Sequence, residues 1–415
     1  MDIVIVGAGK AGSLHYRAYS RLARSGRLDL ARIQFVDRTG RPGAELDRLL
    51  RADGSAAPIA RERALLAPTA PASTIVDLCL PSRSLAPALI EWWQAGYRRF
   101  VVEKPFLVAP ELRAEVGRVL ADSRVVLVRN YLHSKVHRTV RELVEQYELD
   151  PSLCVTNFSK DRRADNLRGR GASGTTSPTV FEVELPHQLY IGADLLGEPV
   201  SVEHAEDLDP MGGGEQPMRL GEGVVVGRAA GGAAFVHYSD LQHPTTVRTL
   251  DLLCRERLSV HATYAPICEE LTDIKAGVFL CRGETVLAKS LFTVDDNMLA
   301  MISTAHAALT SDTPGPQSRV DLDEVLRPSE LIHAAIAGRT GAAPVTARPG
   351  TVRSDILQEW VVDAFRQGLA TGVGRAFLAF LEQRRRDRMT RLLPALDPAF
   401  EALARAGATG EAVAV

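Results

Sequence analysis

The chemistry this chain of 415 residues could perform starts with a lysine. Lysine is scarce: Lys10, Lys104, Lys135, Lys160, Lys275 and Lys289 are all there are, and arginine carries nearly all the remaining positive charge. An arginine keeps its proton near neutral pH, whereas a lysine can be tuned to release it. Lys104 stands in "VVEKPF" (101–106), at the end of an apolar run and between Glu103 and Pro105. Pinned beside a cofactor, it could exchange a proton or hydrogen-bond a substrate oxygen, with Glu103 orienting it. By itself a Glu-Lys-Pro turn is an ordinary surface feature. What precedes it in the chain reverses that reading.

Upstream, the run "IVIV" (3–6) leads into "GAGKAG" (7–12), which sets Gly7, Gly9 and Gly12 in GxGxxG spacing. After a strand and before a helix, this spacing points to a dinucleotide site. Gly7 permits the tight turn, Gly9 lets backbone approach a pyrophosphate, and Gly12 lets helix and strand pack closely. The following helix would turn its positive N-terminus toward the phosphates. Asp37 ends the next apolar run, "FVDRTG", 25 positions after Gly12, close to where an acidic residue holds the adenosine ribose. A carboxylate there repels a 2′-phosphate, so NAD is the expected cofactor. Arg38, its neighbour, could instead receive that phosphate and is the argument for NADP as the alternative.

These residues need elements to position them. Strand candidates "IVIV" (3–6), "RIQFVD" (32–37), "STIVDLCL" (73–80), "RRFVVE" (98–103) and "RVVLV" (124–128) alternate with helical patterns such as "SLAPALIEWWQAG" (84–96). Almost continuously apolar strands in such alternation predict a parallel sheet covered on both faces. Glu103, Lys104 and Pro105 then emerge at its carboxyl edge, where ligands bind in such sheets. From about residue 150 the pattern becomes strand-like alternation of apolar and polar residues, which predicts a mainly antiparallel sheet with one exposed face. The expected fold class is therefore α/β, an N-terminal Rossmann dinucleotide-binding domain (1–130) plus a C-terminal α+β domain (131–344) with a large, mainly antiparallel open sheet. Residues 345–415 are expected to form a helical C-terminal extension, with Ile356, Trp360, Val361, Ala364, Phe365 and Leu369 on one face.

Bulk composition narrows the class further. The chain is 46% hydrophobic and 24% charged with net charge −2, which is unlike a nucleic-acid binder. No apolar run reaches the roughly 20 residues that span a bilayer, and no signal peptide is expected. Five scattered cysteines without a CxxC pair predict reduced thiols and a cytoplasmic protein. His133 and His137 share a helical face, but no third ligand accompanies them in the sequence, so no metal site is expected.

In their order, "GAGKAG", "FVD", "CLPS" (79–82) and "VEKPF" resemble the glucose–fructose oxidoreductase / inositol dehydrogenase (Gfo/Idh/MocA) family over roughly residues 1–340. The resemblance implies an NAD(P)-dependent oxidoreductase acting on a sugar, amino sugar, cyclitol or nucleotide-linked sugar. It also implies a homodimer or homotetramer, because the open sheet often serves as the oligomer interface. Cofactor contacts would come from Gly7, Gly9, Lys10, Ala11 and Gly12, from Asp37 and Arg38, from Leu80, Pro81 and Ser82, and from Glu103 and Lys104. Lys104 becomes the active-site lysine.

The family has a second motif, an acidic residue shortly before a histidine that leads into a helix ending near "LLG". Here "FEVELPHQLYIGADLLGEP" (181–199) matches it with His187 as the proton donor or acceptor and Glu184 as its orienting group. The common acidic residue three positions after the histidine is replaced by Tyr190, and a frequent histidine after the "PS" turn is replaced by Leu85. Substrate contacts are expected from Asn130 and Tyr131 at the domain junction. A basic loop holding Lys160 and Arg163, with Arg162, Arg168 and Arg170, suits a phosphate, nucleotide or carboxylate group. Two other readings stay open at this level. One is a C=N reductase with His187 or Tyr190 as proton donor; the other is a cofactor-binding sensor or assembly protein without turnover.

Overall fold

The protein is seen in a computed structural model that describes residues 1–54, 59–67, 69–160, 180–208, 222–241, 246–255, 258–265, 276–283, 285–311 and 320–341. The expected extension at 345–415 and Arg162, Arg163, Arg168 and Arg170 lie outside these residues.

The first unit runs β1 (Asp2–Val6), α1 (Lys10–Arg24), β2 (Arg32–Val36), α2 (Ala44–Ala52), β3 (Ile59–Ala60), β4 (Thr74–Leu78), α3 (Ser82–Gln94), β5 (Arg99–Val102), α4 (Arg113–Asp122) and β6 (Arg124–Leu127). Its six strands lie in the order β3-β2-β1-β4-β5-β6, and every pairing is parallel. β1 shows why its strands read as unbroken apolar runs. Ile3 and Ile5 enter one core layer while Val4 and Val6 enter the other, so neither face meets water. Each such buried side chain contributes about 1.5–3 kcal/mol relative to exposure. The order reverses direction between β1 and β4, and the crevice outside the strand ends at that switch point is where such folds take ligands. The two-residue β3 was not legible as a strand in the sequence.

The second unit continues with α5 (Lys135–Gln146), β7 (Pro151–Ser159), α6 (Val180–Val183), α7 (Leu185–Leu196), β8 (Pro199–Leu208), β9 (Glu222–Ala229), β10 (Ala234–Asp240), β11 (Val247–Cys254), β12 (Leu258–Thr263), β13 (Ala276–Arg282) and β14 (Thr285–Phe292). Its eight strands order as β14-β13-β12-β11-β7-β10-β9-β8. All pairs are antiparallel except β7 with β10. The architecture is therefore the expected one, a Rossmann-type sheet followed by a large, mainly antiparallel second sheet.

Two further helices, α8 (Asn297–Thr310) and α9 (Leu322–Gly341), follow the second sheet. Met298, Met301, Ile302, Ala305 and Leu309 of α8 pack with Ile3, Ile5, Tyr16, Tyr19 and Phe35, so α8 covers a face of the first sheet. Val320 and Val325 join the opposite layer of that sheet, beside Val4 and Leu78. The chain thus returns to its first unit. Among the described residues, no helix is long and apolar enough to cross a membrane.

Candidate active site

Close packing around the glycine loop shapes the first part of the site. Gly7 has φ +106°, and a Cβ there would lie 2.3 Å from the Cys79 carbonyl oxygen. A Cβ on Gly12 would lie 2.0 Å from the Gly7 carbonyl oxygen, so α1 leaves the sheet in direct backbone contact with the turn. Gly9 differs: a Cβ there would meet nothing within 4 Å. Gly9 is also the N-cap of α1, which has no side-chain cap and no acidic residue in its first turn. The positive end of the helix therefore opens on vacant space, as an anion cradle requires. Lys10 and Ala11 form its first turn.

Asp37, just beyond β2, accepts a hydrogen bond from Ala8 N at 3.0 Å through Oδ2. Its Oδ1 accepts from Thr39 N at 2.9 Å and from Thr39 Oγ1 at 2.7 Å. The carboxylate so ties the end of β2 to the glycine loop and lies beside the cradle, while Arg38 is exposed. On the other side Leu80, Pro81 and Ser82 bridge β4 to α3, with Pro81 as N-cap. Ser82 Oγ lies 3.5 Å from Glu182 Oε1, on the α6 side. These residues fit a dinucleotide: an open glycine at a bare helix N-terminus for the pyrophosphate, and a carboxylate beside it for the ribose.

Lys104 follows β5 and precedes Pro105 across a cis peptide. Its Nζ donates to Glu103 Oε2 at 3.0 Å and its backbone N donates to the same oxygen at 2.9 Å. The other Glu103 oxygen lies 2.9 Å from His15 Nε2, and His15 Nδ1 lies 2.8 Å and 3.0 Å from the two oxygens of Asp77. Burial alone would raise the Glu103 pKa, but the Lys104 ammonium and the His15 hydrogen bond hold it well below the usual carboxylate range. Cys79 Sγ lies 3.4 Å from His15 Nδ1, and burial pushes that thiol up. His15, Asp77 and Cys79 offer atoms within 4.8 Å of one another. With both His15 nitrogens on carboxylates, hydrogen bonds account for the cluster.

The histidine motif becomes α7, which begins with Pro186 in its first turn and stops at Gly197 with φ +84°. Gln188 staples this helix to the second sheet: its Nε2 donates to Tyr238 O at 2.8 Å and Thr156 Oγ1 at 3.0 Å, and its Oε1 accepts from Ser239 Oγ at 3.0 Å. His187 and Tyr190, three residues apart, share a face. The His187 ring meets Tyr131 edge-on at 4.9 Å and Phe158 at 6.2 Å. Tyr190 lies under the Arg129 guanidinium at 5.0 Å. Burial pushes the Tyr190 phenol up, against the neighbouring Arg129 guanidinium, which lowers it.

Glu184 takes a partner that the sequence did not indicate. Its Oε1 accepts from Arg248 Nη2 at 3.0 Å, with both side chains buried. Arg248 also donates to Tyr131 Oη at 3.1 Å and to the Ser159 carbonyl at 3.1 Å. The Glu184 carboxylate thereby reaches the ring that abuts His187 through an arginine from β11. Asn130 is buried, and its Nδ2 donates to Asn297 Oδ1 at 2.9 Å, a packing tie between the turn after β6 and the start of α8. Lys160 closes β7, its N–H donating to Asp240 O at 2.9 Å. Leu85 is wholly buried in the first unit's core.

Sequence reasoning overlooked His15, Asp77, Arg129, Gln188 and Arg248. A signal for Asp77 was available: it is a lone charge inside the apolar strand "STIVDLCL", and such a group must find a buried partner. A second polar chain, Ser259 Oγ to His261 Nε2 at 2.9 Å and His261 Nδ1 to Asp251 Oδ1 at 2.7 Å, copies the order of a hydrolase triad. All three residues are buried, Ser259 completely, so this is a cross-strand hydrogen-bond ladder and not a nucleophile facing substrate.

Fold and site geometry together define a two-unit α/β protein with a Rossmann-type first sheet, whose lysine and histidine come from different units. The sequence matches no protein-family model and no curated protein. Solved structures do share the fold. KijD10, a 3-ketoreductase from Actinomadura kijaniata in complex with TDP-benzene and NADP, superposes with a TM-score of 0.61 at 14% identity, covering 82% of this chain and 98% of that one. The UDP-N-acetylglucosamine 3-dehydrogenase GnnA from Acidithiobacillus ferrooxidans gives 0.60 at 13% identity, over 82% and 97%. An oxidoreductase from Agrobacterium radiobacter, in complex with NAD+, L-tartaric acid and magnesium, gives 0.60 at 13% identity, over 83% and 97%. These neighbours are NAD(P)-dependent oxidoreductases of the Gfo/Idh/MocA type, and what this chain shares with them at such identity is the fold.

Proposed function

We propose that the protein is an NAD(P)-dependent oxidoreductase, with NAD preferred, acting at a hydroxyl- or ketone-bearing ring carbon of a sugar, amino sugar, cyclitol or nucleotide-linked sugar. One observation carries this reading. The open cradle at Gly9 and the Glu103–Lys104 pair stand at the carboxyl edge of the first sheet, and Ser82 Oγ beside them lies 3.5 Å from Glu182 Oε1, in the segment that leads into the helix bearing His187 and Tyr190. When bound there, nicotinamide supplies or accepts the hydride.

The chain's own groups handle the oxygen. Lys104 Nζ, oriented by Glu103 Oε2, donates a hydrogen bond to the reacting oxygen and stabilises the charge that develops on it. His187, fixed against Tyr131 and Phe158, gives or takes the hydroxyl proton. Tyr190 keeps its phenolic proton and can donate to a neighbouring hydroxyl. Arg129 pairs with Glu324 through Nη1, while its Nε and Nη2 have no hydrogen-bond partner among the described residues and would be the donors for a substrate phosphate. That favours the nucleotide-linked sugar within the class, a choice supported by the thymidine-diphosphate ligand of KijD10 and the UDP-sugar of GnnA. The reading includes a cytoplasmic homodimer or homotetramer. Val286, Leu287 and Leu291 of β14 are exposed and would supply apolar surface for it.

The test begins with NADH and NADPH titrated against the protein by tryptophan quenching and calorimetry, followed by a substrate screen with the tighter cofactor. Lys104→Met and His187→Ala should each abolish turnover while leaving cofactor affinity unchanged. Failure to bind either cofactor sinks the reading. Binding with no turnover of any nucleotide-linked or free sugar would leave a cofactor-binding protein without catalysis.

A further inference from the structure

His15 is completely buried under the glycine loop, and each of its ring nitrogens faces a carboxylate. Ionised carboxylates only accept hydrogen bonds. Contacts of 2.8 Å to Asp77 and 2.9 Å to Glu103 therefore call for a proton on both nitrogens. A neutral imidazole would aim a lone pair at one of the two carboxylates inside a low-dielectric interior. With an imidazolium, the four groups Asp77, His15, Glu103 and Lys104 sum to zero charge. Cys79 beside Asp77 on the same strand and Tyr19 on α1 complete the titratable groups around the ring, and both keep their protons.

From this geometry we infer that His15 is a positioning residue for Lys104. Bridging Asp77 and Glu103 as an imidazolium, it turns Glu103 so that the second carboxylate oxygen holds Lys104 Nζ at the sheet edge. The inference rests on Lys104 being the reactive lysine of the proposed function, but the bridge itself exists without substrate. Burial works against a charge on His15, yet Asp77 and Cys79, through their fields and hydrogen bonds, together outweigh it and raise the imidazole well above its ordinary range. The device explains why a histidine and an aspartate, both buried and both remote from solvent, are kept in an otherwise apolar α1–β4 contact.

The test uses the full chain without ligand, labelled with 15N-histidine. The His15 resonance is identified by its loss in His15→Gln, or by its response to Asp77→Asn should that variant fail to fold. At neutral pH both ring nitrogens are expected to show the protonated signature. Lys104→Met, a change at a partly exposed side chain, should shift the Nε2 resonance through Glu103. In a Glu103→Gln background the same change should no longer reach His15. A purely structural histidine would show no such dependence. A neutral tautomer, or a His15 signal indifferent to Lys104, overturns the inference even if the protein proves to be an oxidoreductase. If turnover is found, His15→Gln is expected to lower kcat by roughly 100-fold, with NADH affinity held within about twofold, as for misplacement of a reacting group. Unchanged kcat in a folded His15→Gln also overturns it. Absence of any turnover bears on the proposed function and leaves the spectroscopic result to decide the bridge.

Discussion

Replacing Gly9 by alanine separates cofactor binding from folding, because of where its Cβ would go. The added methyl meets nothing within 4 Å of the protein, and the backbone at Gly9, φ −84° and ψ −158°, is open to any residue. Losing a glycine N-cap to alanine costs up to about 1 kcal/mol, and the stiffer unfolded chain offsets about 0.4–1 kcal/mol of that. The melting temperature should therefore move by less than about 3 °C. For a dinucleotide the methyl occupies the path by which a pyrophosphate approaches the first turn of α1. Displacing one charge-assisted hydrogen bond, about 1.5–3 kcal/mol, predicts an NADH affinity lower by about 10- to 150-fold. Calorimetric titration with NADH and a thermal melt on the same sample read both quantities. Gly12→Ala is the contrast, since its Cβ falls 2.0 Å from the Gly7 carbonyl oxygen and folding itself should suffer. Undiminished NADH binding by Gly9→Ala would refute the cradle. A large fall in its melting temperature would show that Gly9 serves the fold instead.

Asp37→Ser should weaken NADH by about tenfold and strengthen NADPH, because Arg38 remains while the carboxylate that repels a 2′-phosphate is gone; paired fluorescence titrations check it. Arg248→Met strands the buried Glu184 carboxylate and should cost about 3–5 kcal/mol in denaturant unfolding, while the double variant with Glu184→Gln recovers part of that. A loss below about 1 kcal/mol would mean the pair is not as buried as it stands here. His237, with its pKa pushed down by burial to about 3, gives a pH test. Because the folded value is depressed, its contribution is complete above the unfolded value of about 6.5 and is lost as pH falls toward about 3. The loss is at most about 5 kcal/mol. Unfolding measured across that window should be steeper for the native chain than for His237→Gln, and parallel curves would contradict the assignment.

Local pattern told much about this protein because several of its constraints are local. Ile3, Val4 and Ile5 had to form a strand covered on both faces, since a run without polar residues leaves no face for water. Gly7, Gly9 and Gly12 announced a turn into a helix by spacing alone. Lys104 stood out as a lysine held in an arginine-rich chain, and Asp37 by its distance from the glycines. Pro186 and Gly197 bounded the helix that carries His187. All of these are relations within a few residues or within one strand–helix unit, where backbone geometry translates spacing into position.

The partners of those residues came from elsewhere. Asp77 is 62 positions from His15, and Glu103 is 88. Arg248 reaches Glu184 across 64 residues, and α8 returns to a sheet that begins nearly three hundred residues earlier. Nothing in local spacing says which buried carboxylate will meet which cation. That choice is made when the two sheets and their helices pack, because a charge taken out of water must end beside whichever opposite charge the topology brings to it. The sequence by itself determined most of the strands, the glycine turn and the chemical types available. Tertiary structure decided that Glu103 is shared between a lysine and an imidazole, and that Glu184 belongs to an arginine.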